Sequence, residues 1–175
     1  MDKFTRNNQY LSLCGLNCSL CSMNLGKYCP GCGQGCGNQL CAIARCSMKK
    51  GNFEYCIECN EYPCTYYHDI DKYDSFITHQ NQKSNLEKIK TMGSDTYNQE
   101  QIEKREILEF LLEHYNDGRR KTFYCLAINL LELNDIRSVI KSSEQLESNE
   151  RTNFIVNAFK QLSSEQEIEL KLRKK

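Results

Sequence analysis

Eleven cysteines lie within one short segment, from Cys14 to Cys64, of a chain that contains 12 cysteines in 175 residues. No ordinary hydrophobic core has such a composition. Two kinds of small protein do: disulfide scaffolds of oxidising compartments, and proteins whose thiolates bind metal. The N-terminal residues include Asp2, Lys3 and Arg6, where a signal peptide has a continuous apolar run. We therefore expect a cytoplasmic protein whose cysteines bind metal rather than form disulfides.

Three pairs of cysteines have the spacing of metal ligands, because a tight turn between two thiols presents both sulfurs to one ion. Each pair has the form Cys-x-x-Cys: Cys18 with Cys21, Cys29 with Cys32, and Cys56 with Cys59. The middle pair stands in the stretch "CPGCG", in which proline and glycine favour the rigid turn of a zinc knuckle. The remaining thiols of the segment are predicted to complete the ligand shells: Cys14, Cys36, Cys41, Cys46 and Cys64.

The number of donors bounds the number of ions. Tetrahedral zinc takes four ligands, so the eleven thiols fill two sites with thiols to spare. Adding His68, four residues after Cys64, makes twelve donors for three ions. An exposed surface position beside Asp69 is the slightly favoured alternative for this histidine. The sequence predicts two or three zinc ions and leaves the ligands of each ion open.

Other kinds of cysteine chemistry are weighed against zinc. The stretch "CGLNCSLC" has the spacing of radical S-adenosylmethionine enzymes, but that class needs a barrel of about 200 residues with alternating strands and helices. An iron–sulfur protein is the stronger alternative, because Cys-x-x-Cys pairs serve both metals and Pro30 follows Cys29 as in bacterial ferredoxins. The ferredoxin run of close cysteines before Cys-Pro is missing, so zinc is favoured over iron–sulfur clusters. Metal storage or delivery is a third interpretation, in which spare thiols take up and release soft ions.

The cysteine pattern also resembles a known family. "CGLNCSLC", "CPGCGQGC" and "CAIARCSMKKGNFEYCIECNEYPC" are similar to the uncharacterised prokaryotic proteins of domain of unknown function three-seven-nine-five. The resemblance covers residues 13–64, and the eleven clustered cysteines map onto the family pattern position by position. Farther along, "NDGRRKTFYCLAINLLELNDI" looks like the helical extension of longer members. The resemblance implies a cysteine-rich, metal-binding module of bacteria or archaea and supplies no activity. His68 and Cys125 lie outside the pattern.

The character of the chain changes after residue 67. Residues 1–67 are rich in glycine and poor in aliphatic side chains, so we expect a metal-binding module of loops and short turns with little apolar core. Residues 68–175 combine apolar and charged residues with a helical period, which predicts an all-α domain. The predicted fold is mainly α, with an N-terminal cysteine-rich zinc-knuckle module packed on a C-terminal helical bundle.

Individual helices follow from apolar spacing and from end signals. Ser84 and Glu87 have the spacing of a capping box and are predicted to begin a short helix that ends at Gly93. Further helices are predicted over 98–116, in "RKTFYCLAINLLEL", around 136–140 and over 154–162. Ser164 and Glu167 predict a final charged helix, after which the tail "LKLRKK" is expected to fray.

Composition argues against two classes of partner. The chain has 23 basic and 23 acidic side chains, so it lacks the basic excess of a nucleic-acid-binding domain. No apolar run approaches the roughly 20 residues that span a bilayer, so no membrane is expected. No catalytic constellation stands out, Cys125 fits a helical core, and the interpretation leans away from an enzyme.

These observations predict a zinc-binding protein with structural thiolate sites. Its predicted role is that of a protein-interaction or regulatory module, with an unidentified protein as partner. Nothing in the sequence defines an oligomeric state.

Overall fold

The computed structural model describes residues 4–35 and 41–175, and these residues are mainly helical. Within these ranges the chain forms no strand, which confirms the predicted fold class at the level of secondary structure. Three short 3₁₀ helices cover Cys18–Leu20, Cys56–Glu58 and Thr65–Tyr67. The α-helices in the described ranges are α1 (Ser22–Leu25), α2 (Ala42–Lys50), α3 (Gln82–Met92), α4 (Ser94–His114), α5 (Lys121–Leu130), α6 (Leu133–Ser143) and α7 (Ser148–Glu165). None of these helices combines the length and apolar character needed to cross a membrane.

The chain divides into two compact units. Unit 1 comprises residues 1–102 together with 172–175, and unit 2 comprises residues 103–171. Unit 1 contains the cysteine-rich segment and also α3, which follows it in the sequence.

Two small apolar clusters form the core of unit 1. The first contains Leu11, Tyr55, Tyr67, Leu86, Ile89 and Tyr97, and the second contains Phe4, Leu13 and Ala44. Residues from α3 and from the start of α4 thus provide apolar surface that the cysteine-rich segment lacks. Residues 1–67 contribute Leu11, Tyr55 and Tyr67 to the first cluster and Phe4, Leu13 and Ala44 to the second, a small apolar core in which aromatic rings are prominent.

A nine-residue helix, α2, interrupts the region in which only loops and short turns are expected. Its sequence, AIARCSMKK, consists mostly of residues with good or neutral helix propensity. The sulfur of Cys41 accepts a hydrogen bond from the amide of Ala44 and so caps the N-terminus of the helix. Gly51, with φ 141°, ends it. Cysteine is not a usual capping residue, and for this reason the sequence pattern did not reveal the helix.

Helix α3 is confirmed, but its predicted start is wrong. The helix begins at Gln82, and Ser84 lies inside its first turn, where the hydroxyl donates to the carbonyl of Asn81 at 3.0 Å. A capping box requires the serine outside the helix with its oxygen accepting from an amide, so Ser84 and Glu87 do not form one. The predicted end at Gly93 is confirmed, with φ 85° at that residue.

Unit 2 buries apolar side chains from each of its helices, and in α5 the six consecutive residues 124–129 are all buried. Its fully enclosed side chains include Leu108, Leu111, Tyr124, Ile128, Leu131, Ile136 and Phe159. Cys125 is buried among them, as expected for a core residue. The ammonium group of Lys104 is also buried and donates to the carbonyl of Leu131 at 2.8 Å, at the C-terminal end of α5. A cation at a helix C-terminus interacts favourably with the carbonyls exposed there.

The predicted final helix and the predicted frayed tail are both wrong. Helix α7 runs through Ser164 to Glu165, and Glu167 turns the chain out of the helix with φ 55°. The tail is held within unit 1, because the guanidinium and amide of Arg173 both donate to the carboxylate of Asp74. The side chain of Asp74 is fully enclosed. A long-range ion pair of this kind leaves no periodic signal in the sequence.

Candidate metal centre

Side chains of α3 donate hydrogen bonds to the backbone of the segment that carries the first cysteine. The carbonyl of Cys14 accepts from Gln82 Nε2 at 3.1 Å and from the Tyr67 hydroxyl at 3.3 Å, and the carbonyl of Gly15 accepts from Asn85 Nδ2 at 2.9 Å. Gly15 has φ 98°, and a Cβ there would lie 2.2 Å from the carbonyl oxygen of Gln82. Glycine is therefore required at this position, both by conformation and by the close approach of α3.

Four thiols lie near enough for charge on one to act on another, and we call Cys14, Cys18, Cys32 and Cys56 the inner thiols. Cys14 packs against the first cluster, Cys32 against the second, and Cys56 against both. Negative charge on Cys32 acts on Cys14, Cys18 and Cys56, and negative charge on Cys14 acts on Cys18 and Cys56. The fold therefore brings together cysteines that are as much as 42 positions apart in the sequence, from 14 to 56.

Burial sets the protonation state of the inner thiols. Desolvation raises the pKa of Cys14 to about 11 and those of Cys18 and Cys56 to about 12, and it also raises the pKa of Cys32. Negative charge on neighbouring thiols acts in the same direction. Without a cation the group is thus neutral at physiological pH, whereas a bound divalent cation favours thiolates.

Polar groups around the inner thiols oppose the effect of burial. The Ser12 hydroxyl lies 3.3 Å from the sulfur of Cys14 and lowers the pKa of that thiol. The amides of Leu16, Cys32 and Leu13 lower the pKa of Cys14, Cys18 and Cys32 respectively, and the side chains of Tyr67 and Arg6 lower those of Cys56 and Cys32. In each thiol the effect of burial is the larger one. Donors aimed at sulfur are the environment of metal-bound thiolates.

Three further thiols border the inner group. The charge of Cys41 acts on Cys14 and Cys32, that of Cys21 acts on Cys18, and that of Cys64 acts on Cys56. Cys41 is exposed, and its sulfur caps α2 as described above. The helix N-terminus therefore provides an additional donor to a thiol at the edge of the group.

Cys46 and Cys59 both lie near Lys50, and we call them the outer thiols. Cys46 lies one turn before Lys50 in α2, and Cys59 lies two residues before Glu61. The ammonium of Lys50 pairs with the carboxylate of Glu61 and so joins the two segments. The hydrogen bond that Lys50 donates to Glu61 raises the pKa of Lys50, and negative charge on the outer thiols contributes in the same direction. Cys56 and Cys59 are one of the predicted pairs, but Cys56 lies near the other inner thiols whereas Cys59 lies near Lys50.

The remaining predicted ligands have other surroundings. Cys29 is half-buried in the turn after α1, where its carbonyl accepts from Asn24 Nδ2 at 3.1 Å. Cys36 lies outside the described residues. His68 is exposed and lines a cleft of about 620 Å³ whose other walls are Tyr62, Pro63, Cys64, Thr65, Tyr67 and Lys83. His68 and Cys64 thus border the same open space.

All ten described cysteines of the segment, and Cys125, are free thiols. Among residues 4–35 and 41–175, no three Cys, His, Asp or Glu side chains are placed so that they hold one ion. The fold therefore assembles the inner thiols into one neighbourhood without bringing their sulfurs to a common point.

Two residues of this neighbourhood have no distinguishing signal in the sequence. Arg6 lies eight positions before the first cysteine, and in the sequence it is notable only as a charge that argues against a signal peptide. Tyr67 is one of several tyrosines in its region, and nothing in the pattern distinguishes it from its exposed neighbour Tyr66. Both contacts are made over long sequence separations, which local spacing does not reveal.

No family model matches the chain, and neither a curated protein nor a solved structure matches it. The resemblance of the cysteine pattern to a known family therefore stays a prediction.

Proposed function

We propose that the cysteine-rich part of unit 1 is a structural metal module that holds zinc through thiolates. The observation that carries this proposal is the set of polar groups beside the inner thiols: the Ser12 hydroxyl, 3.3 Å from the Cys14 sulfur, and the amides of Leu13, Leu16 and Cys32 with the side chains of Arg6 and Tyr67, all of which lower the pKa of a thiol. A buried neutral thiol needs no such donors, because it behaves as a small hydrophobic group. A thiolate that ligates metal accepts several hydrogen bonds, which orient the sulfur and stabilise its charge.

The donor set fits zinc in number and in kind. Four inner thiols match the four ligands of a closed tetrahedral site. The outer thiols, with the thiols that border the inner group, supply donors for a second ion, and His68 with Cys64 adds an imidazole at the cleft. In this proposal the sulfurs converge as the ion binds, because metal binding and local folding are coupled in small metal modules.

Metal content of protein purified without oxygen tests the proposal. We expect two or three zinc ions per chain by elemental analysis, and fewer in C18S and C32S. Cys125→Ser is the matched control, because Cys125 is buried in unit 2 and outside the donor set. Its metal content is expected to equal that of the wild type. Metal-free wild-type protein that gains no metal when zinc is supplied contradicts the proposal.

An iron–sulfur centre is the second candidate, and one observation favours it. Seven thiols lie in or beside the inner group, more than one tetrahedral zinc ion uses. Iron–sulfur clusters use the same Cys-x-x-Cys pairs. A visible spectrum of the same preparation separates the two candidates: absorption near about 400 nm together with iron and inorganic sulfide identifies a cluster.

Two exposed aromatic side chains support a role in protein interaction. Tyr28, just before the predicted knuckle, is 80% exposed, and Phe76 is 71% exposed. Both belong to unit 1, and aromatic side chains are enriched at the centres of protein interfaces. Metal storage or delivery, by contrast, predicts that bound ions exchange readily and that additional soft ions are taken up.

A further inference from the structure

A permanently charged side chain is buried beside the inner thiols. The side chain of Arg6 is only 1% exposed. Its guanidinium donates to the carbonyl of Glu54 through Nε at 2.9 Å and through Nη2 at 2.6 Å, and to the carbonyl of Leu11 through Nη1 at 2.9 Å. The ring of Tyr55 lies 5.5 Å from the guanidinium carbon. These contacts fix the group in one orientation.

The turn that carries Cys32 rests on the backbone and side chain of Arg6. The amide of Arg6 donates to the carbonyl of Gly33 at 3.4 Å, and Gln34 Nε2 donates to the carbonyl of Arg6 at 2.7 Å. A Cβ at Gly33 would lie 2.9 Å from Cγ of Arg6, so the turn approaches as closely as glycine allows. The guanidinium lies near enough to Cys32 to lower the pKa of its thiol, against the larger effect of burial.

The positive charge of Arg6 is only partly balanced by the carboxylate that forms an ion pair with it. The carboxylate of Glu54 is its ion-pair partner at 3.4 Å, but this carboxylate also accepts from the amides of Asn7 and Asn8. It is 28% exposed and thus partly solvated. A zinc ion with four thiolates carries a net double negative charge, and such a charge is costly to bury unless a cation lies near it.

We propose that Arg6 is the positioning residue of the thiolate centre, holding Cys32 in place and offsetting the negative charge of the bound metal with its ligands. This inference rests on the proposed function. Arginine suits the role better than lysine, since its planar fork donates in several directions at once while keeping its charge. Lysine at position 6 would keep the positive charge but would lack the planar set of donors that the guanidinium provides.

Cobalt(II) binding to the full chain tests this inference, with Arg6→Met and Arg6→Lys as variants. Removal of an outer-shell partner of a metal ligand typically weakens metal binding about 10- to 100-fold. We expect a loss of that size in R6M by competition with a chelator, and a smaller loss in R6K. The sulfur-to-cobalt charge-transfer band is expected to shift in R6M, because the charge beside Cys32 is gone.

Tyr97→Phe is the control for a purely structural effect. The Tyr97 hydroxyl donates to Asn17 Oδ1 at 2.7 Å in the buried core of unit 1, so its loss destabilises the same unit without removing a donor to sulfur. The charge-transfer band of Y97F is expected to match that of the wild type. An equal shift in both variants would assign the effect to packing and overturn the inference.

The remaining outcomes are equally decisive. Wild-type affinity together with a wild-type band in R6M overturns the role of Arg6 and leaves the proposed function intact. If R6M does not fold, cobalt affinity and the charge-transfer band are measured in R6K instead. Wild-type values for both in R6K overturn the inference. A wild-type chain that binds no cobalt overturns the proposed function and this inference together.

Discussion

Replacement of Gly15 by alanine is the sharpest test of how the cysteine-rich segment is held to α3. Alanine at φ 98° costs about 1–2 kcal/mol, because the left-handed region is unfavourable for a residue with a Cβ. The new Cβ would also lie 2.2 Å from the carbonyl oxygen of Gln82, a backbone atom that moves only if α3 moves. That displacement weakens the bonds from Gln82 to Cys14 and from Asn85 to Gly15, each worth about 0.5–1.5 kcal/mol.

The expected loss in the free energy of unfolding is therefore about 2–5 kcal/mol for G15A. Gly93→Ala is the matched control, since Gly93 has φ 85° in the same unit and a Cβ there meets nothing within 4 Å. G93A is expected to lose only the conformational part, about 1–3 kcal/mol, because φ 85° with ψ 156° is a backbone region that glycine alone adopts readily. Equal losses in the two variants would show that the close approach of α3 to Gly15 does not contribute to stability.

Urea denaturation is the appropriate assay for this comparison. The chain has 10 tyrosines and no tryptophan, so far-UV circular dichroism together with tyrosine fluorescence follows unfolding. An unchanged slope with urea concentration is needed before midpoints are converted into free energies. Because the chain has two compact units, the transition of unit 1 is the one to compare between variants.

Three further predictions follow from particular contacts. Burial alone would raise the pKa of Asp74, but the hydrogen bonds and charge of Arg173 outweigh it and the pKa lies below its ordinary value. The ion pair therefore stabilises the fold fully above the unfolded-state pKa of about 4, and this contribution is lost as the pH falls through the lower folded pKa. D74N should lack that part of the acid dependence of the melting temperature; parallel pH profiles for D74N and wild type would contradict this. Lys104→Met should cost about 1–3 kcal/mol in urea denaturation, because the carbonyl of Leu131 loses its buried partner. K88M, at a helical position in α3, should cost less, and an equal loss would argue against a special role of the buried ammonium. Treatment with a strong chelator should loosen unit 1, seen as faster proteolysis between residues 14 and 64, whereas a cleavage pattern unaffected by chelation would contradict metal-dependent folding.

Most of the helices were predictable from the sequence, because apolar residues at helical spacing report burial on one face. The helices α3, α4, α5, α6 and α7 all overlap the segments that this spacing predicts, although α4 begins at Ser94 rather than near residue 98 and α7 begins at Ser148 rather than near residue 154. Gly93 marks the end of α3 in both sequence and structure. Helix α2 was missed because cysteines and a short length obscure its pattern, and its N-cap is the sulfur of Cys41.

The sequence predicts which residues are potential metal ligands, but it does not predict which of them lie together. Cysteine density and Cys-x-x-Cys spacing identify which residues have ligand chemistry, and these properties belong to the residues themselves. The spacing suggested that Cys56 and Cys59 act as a pair, whereas Cys56 lies with the inner thiols and Cys59 lies near Lys50. A single 3₁₀ turn between the two residues is enough to direct them to different neighbours.

The sequence by itself determined the helical character of the chain and the thiol chemistry of its first third, because residue type and local periodicity suffice for both. Only the tertiary structure decided which thiols lie near one another, that Arg6 and Tyr67 lie beside them, and that Arg173 anchors the tail. These contacts join positions far apart in the sequence. They depend on the free energy of the whole packed unit, in which burial, charge and hydrogen bonding are satisfied together, and no local pattern encodes that sum.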